Sequence, residues 1–176
     1  MASERKDQFK FRDHQVTIIG DDIQVGQKAP DFKVHNLEFG LISALNETKN
    51  KVRIIAAVPS LDSTVCDRET RRFNVEAAAL GYDIAIITVS MDLPYSQKRW
   101  CGAAGVDQVM VVSDHLKGDF GKKYGVLLKE IGVFRRAVFV VNRKGVVTYA
   151  AYMPVNSEEP KYEEVIQAAK NALKDR

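Results

Sequence analysis

Four stiff apolar runs constrain this chain more than anything else in it: "KVRIIAAV" (51–58), "DIAIITVS" (83–90), "DQVMVVS" (107–113) and "RAVFVVN" (136–142). Short runs dominated by β-branched and other apolar residues, bounded by charges or turn formers, are the pattern of strands buried on both faces. Segments of helical period lie between them. "CDRETRRFNVEAAALGY" sets Thr70, Phe73, Ala77 and Leu80 on one stripe, with Arg68, Arg71, Arg72 and Glu76 elsewhere and Gly81 as the stop. A second helix is expected from Pro94 through "YSQKRWCGAAG", a short one over "KGDFGKKYG" and a final one over "PKYEEVIQAAKNAL". Strands that alternate with helices predict an α/β sheet with helices on its faces.

The remaining segments refine that class. "FKFRDHQVTIIG" alternates as an N-terminal β-hairpin does, leaving residues 1–8 as an expected flexible terminus. Gly26, Pro30 and Asp31 separate the hairpin from a short strand, "FKVHN", and a loop of little pattern follows. "VNRKGVV" is a hairpin turn joining "RAVFVV" to "VVTYAAY". A sheet that closes in a β-hairpin and a helix points to a thioredoxin-like fold, a mixed sheet flanked by helices, here with the N-terminal hairpin added. No linker, repeat or low-complexity stretch divides the chain, so residues 1–176 are expected to form one domain.

Composition removes several functions. With 45% hydrophobic and 28% charged residues, the chain can bury a core without disulfide staples. Its apolar runs fall well short of the roughly 18 residues that span a bilayer, and the charged N-terminus lacks the apolar core of a secretory signal. A cytoplasmic protein with no membrane partner is the expectation. The net charge of +3 is spread among acids and bases without a basic stripe, which argues against nucleic acid as a partner. Three histidines, His14, His35 and His115, lie in unrelated contexts, and no metal or other cofactor is expected. Gly118, Gly121 and Gly125 lack the Lys-Ser/Thr of a phosphate loop. Phe9, Phe11, Tyr149 and Tyr152 are expected as core or rim aromatics.

That leaves the two cysteines, Cys66 and Cys101, too few for a disulfide scaffold and too far apart for a C-x-x-C motif. Cys66 falls at the start of the first helix, where unsatisfied N–H groups and the positive end of the dipole favour an anion. Thiolate is the reactive form of cysteine. A free cysteine can equally be a small buried hydrophobe, but Asp62, Ser63, Thr64 and Asp67 make this a polar setting for one that merely packs.

The stretch "PSLDSTVCDRETRRFN" resembles the active-site segment of the peroxiredoxins, whose pattern of Pro, three residues, Thr or Ser, two residues and Cys falls on Pro59, Ser63 and Cys66. "SMDLPYSQKRWCGAAG" resembles the second-cysteine segment of the thiol peroxidase branch, the atypical two-cysteine peroxiredoxins. "RRAVFVVNRKGVV" is similar to the strand bearing that branch's active-site arginine. The resemblance runs from about Phe9 to Leu173 with the elements in one order. It implies that Cys66 is the peroxidatic nucleophile and Cys101 the resolving thiol of the same chain. On the same resemblance Pro59 would shield the thiolate, Ser63 would hydrogen-bond the peroxide, and the arginine directly before Ala-Val, Arg136, would reach the pocket, while Arg135, facing the other side of the strand, would not. The branch more often has Thr where Ser63 stands. Ser keeps the hydroxyl but lacks the methyl that restricts χ1, so a tuned activity is expected, and Thr64 is the alternative hydroxyl.

The implied activity is reduction of hydrogen peroxide and organic hydroperoxides, with thioredoxin as reductant, no cofactor, and commonly a homodimer. Closing a disulfide needs the two Cα atoms within roughly 7 Å. The start of one helix and the far part of the next are not expected to meet that limit, so local unfolding between the steps is expected, eased by Gly102 and Gly105. Two other functions remain open at this point. A redox relay would pass oxidation of Cys66 to a partner protein. A cysteine hydrolase would need a histidine such as His115 beside Cys66 and would be indifferent to loss of Cys101.

Overall fold

The four apolar runs become neighbouring strands at the centre of one sheet. The computed structural model describes residues 1–175. In chain order its elements are β1 (Glu4–Phe11), β2 (His14–Ile19), β3 (Lys33–His35), β4 (Leu41–Ser43), α1 (Ala44–Glu47) and β5 (Val52–Ala57). Then come α2 (Thr64–Leu80), β6 (Ile84–Ser90), α3 (Pro94–Ala104), β7 (Met110–Ser113) and α4 (Asp119–Lys123). The chain closes with β8 (Leu127–Leu128), β9 (Val133–Phe134), β10 (Ala137–Val141), β11 (Val147–Tyr152) and α5 (Tyr162–Lys174). The main sheet runs β11-β10-β5-β6-β7-β3-β4, and a smaller one runs β1-β2-β8-β9. β5, β6 and β7 are parallel, which requires crossovers, and α2 and α3 supply them. β10, β11, β3 and β4 are added antiparallel. The architecture is the expected thioredoxin-like one.

Side-chain alternation divides the strands between two cores. Ile54, Ala56, Ile86, Val138 and Val140 face one core with Cys66, Phe73 and Cys101 from the helices. Ile55, Ala57, Ile87, Val89 and Phe139 face the other with Phe32, Phe120, Tyr124 and Phe134. Both faces are covered, which is why these strands read as unbroken apolar runs. Each large side chain buried in this way contributes about 1.5–3 kcal/mol against exposure, so the sheet is a rigid base for the loops at its edge. Among the described residues no helix is long and apolar enough to cross a membrane.

The structure departs from expectation in places, each for a local reason. The N-terminal hairpin starts at Glu4 rather than Phe9, drawing residues 4–8 of the expected flexible terminus into β1 through pairs such as Glu4 with Ile19. The patternless loop after β3 holds β4 and the one-turn helix α1, which Ser43 caps by accepting a hydrogen bond from Asn46 N at 3.2 Å. β8 and β9 are two residues each, too short for a periodic signal. The small sheet abuts α4 at Gly20, whose φ of +90° and approach to the Lys122 carbonyl leave no room for a Cβ.

Candidate active site

α2 begins two residues before Cys66, at Thr64, with Ser63 as its cap. The Ser63 hydroxyl accepts from Cys66 N at 3.3 Å and donates to Cys66 Sγ at 2.6 Å. Cys66 thus sits inside the first turn, where backbone N–H groups remain free of helical partners. Helical phase puts it with Glu69, Thr70 and Phe73 on the buried face, and the residue has no exposed surface.

Arg136 reaches the same sulfur from the sheet. It immediately precedes β10 and shares a face with Val138 and Val140, the face that meets α2. Its Nη2 donates to Cys66 Sγ at 3.1 Å and its Nη1 to Glu69 Oε2. Asn156 fixes the rest of the side chain. Its carbonyl accepts from Arg136 Nε at 3.2 Å and Nη2 at 3.1 Å, and its side-chain oxygen accepts from Arg136 N at 2.9 Å. Arg135 turns the other way, donating to Asp22 and to the Gly125 carbonyl and lying 4.0 Å over the Tyr152 ring.

The charged groups offset one another within a buried site. Burial lowers the Arg136 guanidinium, but Glu69 and the Cys66 sulfur more than offset that and the net direction is up. Burial pushes the Glu69 carboxyl up to about 7, with Arg136 drawing it partly back. We attribute the rise to a carboxyl whose Oε1 is buried without a hydrogen-bond partner.

Among the residues singled out from sequence, Ser63, Cys66 and Arg136 are therefore brought together. Pro59 is half-buried in the connection after β5 and makes no hydrogen bond to the sulfur. Thr64 is exposed, so its hydroxyl does not replace that of Ser63. Cys101 is a free thiol on α3, as Cys66 is on α2, and both border one core. Burial pushes the Cys101 thiol up, so in its docked position it is held as the less nucleophilic form. α3 is fastened to α2 by Trp100 Nε1, which donates to Asp67 Oδ1 at 3.0 Å, and by Arg71 Nη1, which donates to the Ala104 carbonyl at 3.3 Å. None of the three histidines is a hydrogen-bond partner of Cys66; the His115 ring lies 5.1 Å from that of His35, tilted by 36°.

Glu69 and Asn156 were not singled out from sequence. Glu69 carried a usable signal, since it lies three residues after Cys66 on the stripe of Thr70 and Phe73. Asn156 carried none, being 20 residues from Arg136 in a turn before α5.

A buried thiol at a helix start, held between a hydroxyl and a guanidinium, can attack an electrophile while the guanidinium and free N–H groups take up developing negative charge. The chain is similar to known proteins over nearly its whole length. The family model described as Redoxin matches residues 24–166. A thiol peroxidase of Bacillus subtilis is 45% identical over 95% of this chain and 99% of its own length. A thiol peroxidase of Halalkalibacterium halodurans is also 45% identical, over 93% of this chain and 97% of its own. The crystal structure of a peroxiredoxin-like protein from Aquifex aeolicus superposes with a TM-score of 0.84 at 35% identity, covering 96% of this chain and 99% of that one.

Proposed function

The chain belongs to the redoxin family, and on that premise we propose that it is a peroxiredoxin-type thiol peroxidase working through Cys66 and then Cys101. The observation that carries the proposal is the convergence of Ser63 Oγ at 2.6 Å and Arg136 Nη2 at 3.1 Å on one buried sulfur.

In the first step the Cys66 thiolate attacks one oxygen of a hydroperoxide. The O–O bond breaks, the second oxygen leaves with the electron pair and takes a proton to become water or an alcohol, and Cys66 becomes a sulfenic acid. Arg136 and the N–H groups of the first turn are fixed beforehand where the charge of the leaving oxygen grows, so no reorganisation is needed during reaction. Cys66 is closed off while Ser63 and Pro59 are half-buried, so the peroxide enters from the Ser63 side, and the hydroxyl that donates to sulfur at rest is free to hydrogen-bond the substrate.

In the second step the Cys101 thiol attacks the sulfenic sulfur. An S–S bond forms, the S–O bond breaks, and the hydroxyl leaves as water with the thiol proton. A dithiol protein of the thioredoxin kind then reduces the disulfide and is itself oxidised. Both thiols are free and buried, on two helices tied together by Trp100 and Arg71, so α3 loosens from α2 before this step.

The test is thioredoxin-coupled NADPH consumption with hydrogen peroxide and cumene hydroperoxide. Wild type turns over with both, Cys66→Ser is inactive, and Cys101→Ser consumes one equivalent and then stalls. Continued turnover by Cys66→Ser would refute the proposal.

A further inference from the structure

We infer that Asp92 is a positioning residue that holds the Cys66 turn in its peroxide-reactive arrangement and thereby acts in opposite senses on the two thiol steps. The inference rests on the peroxidase function proposed for Cys66 and Cys101. Asp92 stands just past β6 and two residues before Pro94 opens α3. One of its carboxylate oxygens accepts from the Ser60 hydroxyl at 2.8 Å. The other accepts from Leu61 N at 2.9 Å and from the Ser90 hydroxyl at 2.7 Å. Ser60 and Leu61 belong to the connection between β5 and α2, the segment that carries Pro59 and ends on Ser63.

From Ser60 the restraint passes directly into the site. The Ser60 carbonyl accepts from Ser63 N at 3.0 Å, and Ser63 caps α2 and hydrogen-bonds Cys66 Sγ. On its other side Asp92 is rooted in the base of α3. Its carbonyl accepts from the Ser113 hydroxyl, and Ser90 Oγ also accepts from Gln97 Nε2 at 3.0 Å, which in turn donates to the Val112 carbonyl at 2.8 Å. A carboxylate is an acceptor only, with two oxygens, and hydrogen bonds to it are about twice as strong as neutral ones. Three donors from two segments converge on this one, so a single side chain joins the loop of the first cysteine to the root of the helix that carries the second.

The two steps make opposite demands on that joint. Peroxide attack needs Ser63, Cys66 and Arg136 in register, which the joint supplies. Disulfide closure needs the Cys66 turn to leave its docked position so that the two sulfurs meet, which the joint resists. A merely structural residue would slow both steps when removed.

Rapid mixing separates them. Trp100 is the chain's only tryptophan, lies beside Cys101 and donates to Asp67 on α2, so its fluorescence follows the docking of α3. Reduced wild type, Asp92→Ala, Asp92→Asn and Ser60→Ala are mixed with hydrogen peroxide, with circular dichroism confirming the fold. In Asp92→Ala the oxidation of Cys66 is expected to slow about tenfold to a hundredfold, the equivalent of losing one or two charge-assisted hydrogen bonds, while disulfide closure accelerates. Asp92→Asn retains one acceptor oxygen and an amide that a Ser60 hydroxyl can accept from, and it recovers most of both rates. Ser60→Ala shifts them in the same directions by less. If both steps slow together, or neither changes, while wild-type Cys66 reacts with peroxide, the inference is overturned and the peroxidase function stands. If wild-type Cys66 does not react, both fall.

Discussion

Replacing Arg136 with methionine is expected to slow Cys66 oxidation about 10²–10³-fold, the usual consequence of removing one preorganised charge donor from a dry site. Methionine fills much of the space of the arginine stem but can neither donate to Sγ nor stabilise the departing oxygen. The variant should still fold. Glu69 loses its partner, but its carboxyl is already pushed up to about 7, so it takes up a proton near neutral pH instead of remaining as a buried unpaired charge. Arg136→Lys keeps the charge while losing the fork that spans Cys66, Glu69 and Asn156, and should fall between methionine and wild type. A peroxide rate constant for Arg136→Met within a few-fold of wild type contradicts this role.

Glu69→Gln should change how stability depends on pH. A carboxyl whose pKa is higher folded than unfolded binds more protons in the native state. Its stabilising effect is full below about 4.5 and is lost as pH rises through about 7. At 1.36 kcal/mol per pH unit, the loss across that window is about 3 kcal/mol for wild type, and glutamine does not undergo it. Asp114, which burial pushes up to about 6, tilts both proteins alike and cancels in the difference. Urea midpoints for the two proteins should nearly coincide at pH 4.5, and Glu69→Gln should be the more stable at pH 8. A difference that stays constant across that range would show that Glu69 is ionised throughout, as a permanent ion pair with Arg136.

The sequence disclosed features fixed by local periodicity and lost those fixed by distant partners. Strand alternation required Arg135 and Arg136 to face opposite ways, the resemblance of "RRAVFVV" to the arginine-bearing strand pointed to Arg136, and the structure sends Arg136 to Cys66 and Arg135 to Asp22. The spacing of Ser63 and Cys66, through its resemblance to the peroxiredoxin segment, marked the hydroxyl; that Ser63 also caps α2, which opens at Thr64 and not at Cys66 itself, came from the structure. Glu69 was hidden by its neighbours. "DRETRR" reads as a solvated charged face, and only the phase set by Cys66, Thr70 and Phe73 marks this carboxylate as buried. Asn156 and Asp92 had no such mark, because their importance comes from the segments that folding brings to them, Arg136 in one case and the loop at Ser60 in the other. The two-residue strands β8 and β9 form for a similar reason: β2 offers its free edge to Leu127 and Leu128, and β9 follows by pairing with β8.

The central claim is that Cys66 reacts with peroxide and Cys101 closes on it. Its most direct test is to treat the reduced protein with one equivalent of cumene hydroperoxide, block free thiols and map the peptides by mass spectrometry. The account predicts a Cys66–Cys101 link in wild type and one added oxygen on Cys66, trapped by a sulfenic-acid reagent, in Cys101→Ser. Oxidation appearing first on Cys101, or continuing at the wild-type rate in Cys66→Ser, would contradict it.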